Sequence, residues 1–196
     1  ALARRVGAGA LEHSLLTNLG NLDLYFRGNL ASAENSYLAS MRYCLETGHR
    51  AGLAMVCMRL TDVYLAKHEY RPALRYADMM SDIAPNIPDI GLIAKAHVQR
   101  SRIEDGLTLA QRLEGLVTAV QLSIENKIDR LIPEAWLRIT ELLVRGGLFE
   151  AALEAAAVVE TYSPLGALAW LSRAARTRAE LLLGRQSAAD ASVAWL

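Results

Sequence analysis

The sequence predicts an all-α fold, a helical-repeat solenoid of about five helix hairpins. Three observations predict it. Apolar residues recur at helical spacing, and no stretch alternates with period two for long enough to make a strand. All five prolines fall at expected helix borders. One pattern also returns along the chain: Leu24, Gly28, Ala33 and Tyr37 are matched 40 residues later by Tyr64, His68, Ala73 and Ala77. Leu143, Gly147, Ala152 and Ala156 repeat it again. Ala73 and Ala152 lie 79 residues apart, close to two such periods, and Pro85 and Pro164 share that separation.

In chain order, the first hairpin pairs residues 10–26 with 29–47 and turns at Gly28. The second pairs 51–66 with 70–84. Its first helix shows the i, i+3, i+4, i+7 stripe in Leu53, Val56, Cys57, Leu60, Val63 and Tyr64. Pro72 suits the first turn of its partner helix, where a missing N–H costs nothing. Pro85 closes this hairpin and Pro88 opens the next. The third, 89–104 with 107–126, is the least regular: Gly106 arrives two residues early for a strict period, and residues 126–132 have room for an extra turn. The fourth pairs 133–145, opened by Pro133, with 148–162 across Gly146 and Gly147. Ala152, Leu153, Ala156, Ala157 and Val159 form its stripe. The fifth pairs 166–183 with 186–196, turning at Gly184, and Gly184 and Ala189 keep the turn-to-alanine spacing. A hairpin of this size cannot bury its apolar side alone and needs stacked neighbours. Alanine at 33, 73 and 152 lets paired helices approach closely. Residues 1–196 read as one repeat domain.

The bulk properties exclude several classes of function. Basic and acidic residues number 21 each, so the net charge is zero and no polybasic surface or acidic tail is implied. No apolar run approaches the length of a membrane span, and no secretory signal opens the chain. Cys44 and Cys57 fall on consecutive helices and read as small buried hydrophobes in a reducing cytoplasm. The chain begins at Ala1 and ends inside a helical pattern at "ASVAWL", which reads as a piece of something longer. The apolar "ADASVAWL" end is an expected site of self-association.

Motifs for chemistry are missing. His13, His49, His68 and His97 are spread one per helix or turn, and none has the HExxH spacing that sets two ligands on one helical face. There is no GxxxxGK[ST] loop and no GxSxG elbow, and "GAGALEH" follows no strand. No cofactor, metal site or catalytic residue is expected, and the chain is read as not an enzyme.

The repeat resembles the tetratricopeptide repeat (TPR). The copy from Pro133 to Pro164 carries it best, with Trp136 in the first-helix tryptophan slot, Leu143 in the tyrosine slot and Gly147 at the turn. Ala152 takes the close-packing alanine, Ala156 the aromatic slot and Pro164 the closing proline. The copies around Tyr64, Ala73 and Pro85 and around Gly28, Ala33 and Tyr37 follow. Each repeat is about six residues longer than the family norm. In that it resembles bacterial transcription regulators of the MalT/LuxR type, related STAND ATPases and peptide-sensing quorum regulators. The resemblance implies a right-handed α-α superhelix whose first helices line a concave groove.

That register implies a partner-binding set: Asn18, Leu22, Tyr25 and Phe26; Met55, Met58, Arg59 and Asp62; His97 and Ser101; Glu134, Arg138, Glu141 and Arg145; and Arg178. Met58 at this spacing fits either a core or a groove position. Arg138 and Arg145, two turns apart on one face, suit a carboxylate or phosphate. With Glu141 they equally suit a surface ion-pair ladder. Asn18 has no matching lysine or asparagine one repeat later, which argues against a receptor for peptide C-termini. The function expected is a cytoplasmic, non-catalytic protein-protein interaction module, the docking or sensor part of a bacterial transcription regulator. Direct nucleic-acid or membrane binding is not expected. The alternatives are a small-ligand or peptide sensor domain, or a stand-alone scaffold in a larger assembly.

Overall fold

The computed structural model of the chain describes residues 2–104 and 106–184, with side chains from residue 11 onward. Among the described residues there are nine α-helices and no strand. They are α1 (Leu2–Leu22), α2 (Leu30–Thr47), α3 (Arg50–Ala66), α4 (Tyr70–Ile83), α5 (Ile90–Ser101), α6 (Leu109–Glu125), α7 (Ile132–Arg145), α8 (Phe149–Tyr162) and α9 (Ala167–Leu182). These are the expected hairpin helices, with the first starting earlier than the apolar spacing suggested. The room for an extra turn at 126–132 is used by a 3-10 turn, Asp129–Leu131. The expected helix over 186–196, Ala189 and the apolar "ADASVAWL" end lie outside the described residues.

The hairpin corners show why the repeat has its period. The three aligned turn positions all take the left-handed conformation: Gly28 (φ 65°), His68 (φ 59°) and Gly147 (φ 76°). Glycine enters that region without steric cost, and histidine is among the side chains that tolerate it. After each, the next N–H reaches back into the preceding helix: Glu69 to the Tyr64 carbonyl and Leu148 to the Leu143 carbonyl, both at 2.9 Å. This is the six-to-one bond of a Schellman turn. The first corner differs by one residue. Its helix ends in a π-helical turn, Asp23–Arg27, and the Asn29 N–H spans six positions to the Asp23 carbonyl at 2.8 Å. Asn29 then caps α2 by accepting from the Ser32 N–H at 3.1 Å.

The chain divides into two compact units, one ending at Gly106 and the other starting at Leu107. In the first, α2 packs against α1 and α3, and α3 also against α4 and α5. Its core joins Ala33, Tyr37, Met41 and Cys44 of α2 to Val56, Cys57, Leu60 and Val63 of α3. A smaller cluster unites Ala73, Ala77 and Ile103. In the second unit, α7 packs against α6, α8 and α9. Leu116, Leu137, Ala156 and Val159 are among its buried side chains. Ala33, Ala73 and Ala152 are each fully buried, as the close-packing role requires. Buried Ser172 donates to the Ala156 carbonyl at 3.1 Å, tying α9 to α8.

Candidate functional site

Three residues singled out by the repeat register meet in the first unit. Tyr25, carried by the π turn, donates its hydroxyl proton to Asp62 Oδ2 on α3 at 2.9 Å. It accepts from Arg59 Nη1 at 2.7 Å. The Arg59 guanidinium lies 5.5 Å from the centre of the Tyr25 ring, within cation-π range. Arg59 and Asp62 pair at 3.7 Å, one turn apart on α3. Burial first, then the Asp62 carboxylate, pushes the Tyr25 phenol up to about 12, so it remains a donor at neutral pH.

The network extends to α5, through two residues the sequence reading missed. Gln99 Nε2 donates to Asp62 Oδ1 at 3.3 Å, and Arg102 Nη1 donates to the same oxygen. Arg102 Nη1 also reaches Gln99 Oε1 at 2.6 Å. A signal for them existed: Tyr25, Asp62 and Gln99 are separated by 37 residues at each step, slightly less than the period of the turns. Two guanidiniums share one carboxylate, so the group carries excess positive charge. Arg59 Nε is buried without a hydrogen-bond partner. The exposed edges of Arg59 and Arg102 suit an acidic side chain offered from outside.

The rest of the predicted set divides by exposure. Asn18, Leu22 and Phe26 are exposed on α1 and its π turn, and Met55 is half-buried on α3. Met58 and Ser101, expected to line the groove, are instead buried and offer almost no surface. Met58 belongs to the core of the first unit at 6% exposure. Ser101 is buried, its hydroxyl donating to the Val98 carbonyl at 2.6 Å. His97 is half-buried; burial, then the neighbouring Arg100, lowers its pKa below the usual imidazole value. In the second unit Arg138 Nη1 donates to Glu141 Oε2 at 2.7 Å, the ion-pair alternative. Glu134 is half-buried at the start of α7, while Arg145 on α7 and Arg178 on α9 are exposed.

Two other features lie in the first unit. Glu34 on α2 accepts from the Tyr64 hydroxyl at 2.5 Å and from Lys67, stitching the first hairpin to the second. The bonds from Lys67 and Tyr64 hold its carboxyl below the usual carboxylate range. A cleft of about 450 Å³ opens between α1 and α3, with Asn18, Met55, His13, His49, Asp89 and Leu92 on its walls. His13, His49 and nearby Cys44 form the group of side chains that could hold a metal ion among the described residues. No described helix is long and apolar enough to cross a membrane.

No family model matches the sequence, and no curated protein matches it significantly. Similar solved structures do exist. The apo form of RapI superposes with a TM-score of 0.74 at 12% identity, over 94% of this chain and 68% of its own length. The nearly identical TPR-like repeats assigned to a Podosopora anserina kinesin light chain give a TM-score of 0.69 at 12% identity. There the match covers 94% of this chain and 90% of the other. At such identity the likeness concerns the fold alone. The chain has an all-α, TPR-like helical-repeat fold.

Proposed function

We propose that the chain is a non-catalytic protein-interaction module that docks a partner helix along α1. One observation carries this reading: a stripe of exposed apolar side chains. Leu11, Leu15, Leu19 and Leu22 fall within an arc of about 80° on the helix. All are exposed, Leu11 and Leu15 at 67%, and Phe26 follows at 82%. Apolar side chains gathered in a row in this way mark an interaction surface, whereas scattered ones do not. Asn18 and Tyr25 border the stripe, and Tyr25 leads to the positively charged group with Arg59 and Arg102. The partner this fits is an amphipathic helix with acidic residues along one edge.

In this reading residues 1–196 act as one module, the docking or sensor part of a bacterial transcription regulator in the cytoplasm. Support comes from the long TPR-like repeats and from the zero net charge, which suits a piece that leaves DNA to other parts. Leu22, Tyr25, Phe26, Arg59 and Asp62 are the proposed contacts. The test is a paired purification from the native cells. The double variant Leu15→Glu/Phe26→Glu is expected to fold normally, since both side chains are exposed, and to lose at least tenfold of a protein that the unaltered chain retains. Equal retention by both chains overturns the reading.

A sensor for a small ligand or peptide is the second reading. The cleft favours it: its volume of about 450 Å³ lies in the range of small-molecule sites. A raised melting temperature with one member of a metabolite and peptide panel is expected on this reading. An unchanged melting temperature across the panel counts against it.

A further inference from the structure

The histidines are dispersed in the sequence, and the fold gathers two of them beside a cysteine. His13 on α1, Cys44 on α2 and His49 at the start of α3 each bring a nitrogen or sulfur atom within 4.8 Å of the others. The corner between α2 and α3 makes this possible. Gly48 adopts φ 70°, and the His49 N–H returns to the Cys44 carbonyl at 2.9 Å, folding residue 49 back over residue 44. Gly52 keeps the space clear. A Cβ there would lie 2.2 Å from His49 Nδ1 and 2.9 Å from Cys44 Sγ.

The spacing suits coordination. His13 Nδ1 stands 3.6 Å from Cys44 Sγ. A tetrahedral zinc ion, with Zn–N of about 2.0–2.1 Å and Zn–S of about 2.3 Å, sets two such ligands about 3.6 Å apart. The surroundings tolerate the change. Ser40 Oγ lies 2.5 Å from His13 Nδ1 and 3.0 Å from Thr17 Oγ1. Thr17 donates its own proton to the His13 carbonyl at 2.9 Å. For a metal to take the Nδ1 lone pair, Ser40 first turns its hydroxyl off Nδ1; Thr17 Oγ1, already 3.0 Å away, then accepts the Ser40 proton, so no buried hydroxyl is orphaned. Tyr43 stacks on the His13 ring with centroids 5.6 Å apart and steadies its plane.

We propose that His13, Cys44 and His49 form a metal site for one borderline-soft ion, zinc first among them. Two imidazole nitrogens and a thiolate suit zinc, whereas magnesium and calcium require oxygen ligands. The Cys44 thiol releases its proton to solvent as the Zn–S bond forms. His13 and His49 also line the cleft, so the fourth coordination position opens onto it and takes water or a donor atom of a ligand. Three protein ligands with one open position mark a site that exchanges its fourth ligand, unlike a closed structural site. This site stands on its own geometry and does not depend on the docking surface along α1.

The probe is cobalt(II) titrated into the whole chain after chelator treatment. The expected result is one equivalent bound, with a thiolate-to-cobalt charge-transfer band in the near ultraviolet and the visible bands of tetrahedral cobalt, both removed by added zinc. Cys44→Ala is expected to abolish the charge-transfer band, while Cys57→Ala, which removes the other buried thiol, retains it. His49→Ala alters an exposed side chain and leaves the fold intact. It is expected to weaken cobalt binding by at least about tenfold, since losing even an outer-shell partner costs that much. A chain without the charge-transfer band, or bands unchanged in both Cys44→Ala and His49→Ala, overturns the proposal. If Cys44→Ala fails to fold, the His49→Ala comparison decides.

Discussion

Tyr37→Ala is expected to destabilise the chain by about 3–5 kcal/mol, the cost of truncating a buried aromatic side chain. Tyr37 is fully buried on α2. Its ring packs against Gly20 of α1: a Cβ there would fall 2.5 Å from Tyr37 Cε1. Glycine inside a helix costs about 1 kcal/mol relative to alanine, and at Gly20 the close contact with the tyrosine ring offsets it. The phenol adds a polar tie by donating to Asn21 Oδ1 at 2.8 Å. Burial raises its pKa well above the usual phenol value, so it stays a donor. Alanine would leave a cavity between two helices that cannot close, because both are held by the rest of the hairpin. Tyr37→Phe keeps the ring and loses only the hydroxyl, at about 1 kcal/mol. Urea unfolding followed by circular dichroism separates the two variants, with the slope unchanged if only stability is altered. If alanine costs no more than phenylalanine, the ring does not hold α1 on α2.

Asp62→Ala is expected to cost about 2–3 kcal/mol. Asp62 accepts from Tyr25, Gln99 and Arg102 and pairs with Arg59. Removing it leaves two guanidiniums facing each other with no carboxylate between them. Losing one partner of a fully buried pair costs about 3–5 kcal/mol. Here the side chains are 11% exposed for Asp62, 25% for Arg59 and 27% for Arg102, and water moderates the loss. Asp62→Asn keeps an acceptor without the charge and is expected to fall between the two. The measurement is the same unfolding experiment. A loss below about 0.5 kcal/mol would mean that the network is an exposed ion-pair cluster with little energetic role.

Much of the architecture was legible because a repeat signals itself in local chemistry. The clearest case is His68. Its alignment with Gly28 and Gly147 marked it as a turn residue, and its backbone takes the same left-handed conformation. The alanines at 33, 73 and 152 were legible for a similar reason, since close helix packing admits little else. Met58 was not legible. Its position on α3 is compatible with either the groove or the core, and α3 is flanked by α2, α4 and α5, so it buries residues on several faces. A single apolar stripe does not describe such a helix. Ser101 sits in the last turn of α5, where its hydroxyl bonds to a carbonyl of its own helix and lets a polar residue be buried. Gln99 and Arg102 escaped notice because the third hairpin departs from the period that places the others.

The sequence by itself determined the all-α class, the helix borders within a few residues except the start of α1, the corners and the small residues between paired helices. Each follows from preferences acting over one or two helical turns, and those are written locally. Only the tertiary structure decided which polar groups meet. The Tyr25–Asp62–Gln99 network joins side chains 37 residues apart at each step, and the His13–Cys44–His49 cluster brings His13 to Cys44 across 31. Such meetings depend on how each helix is rotated about its axis when its neighbours pack, and that rotation is set by the sum of contacts on every face.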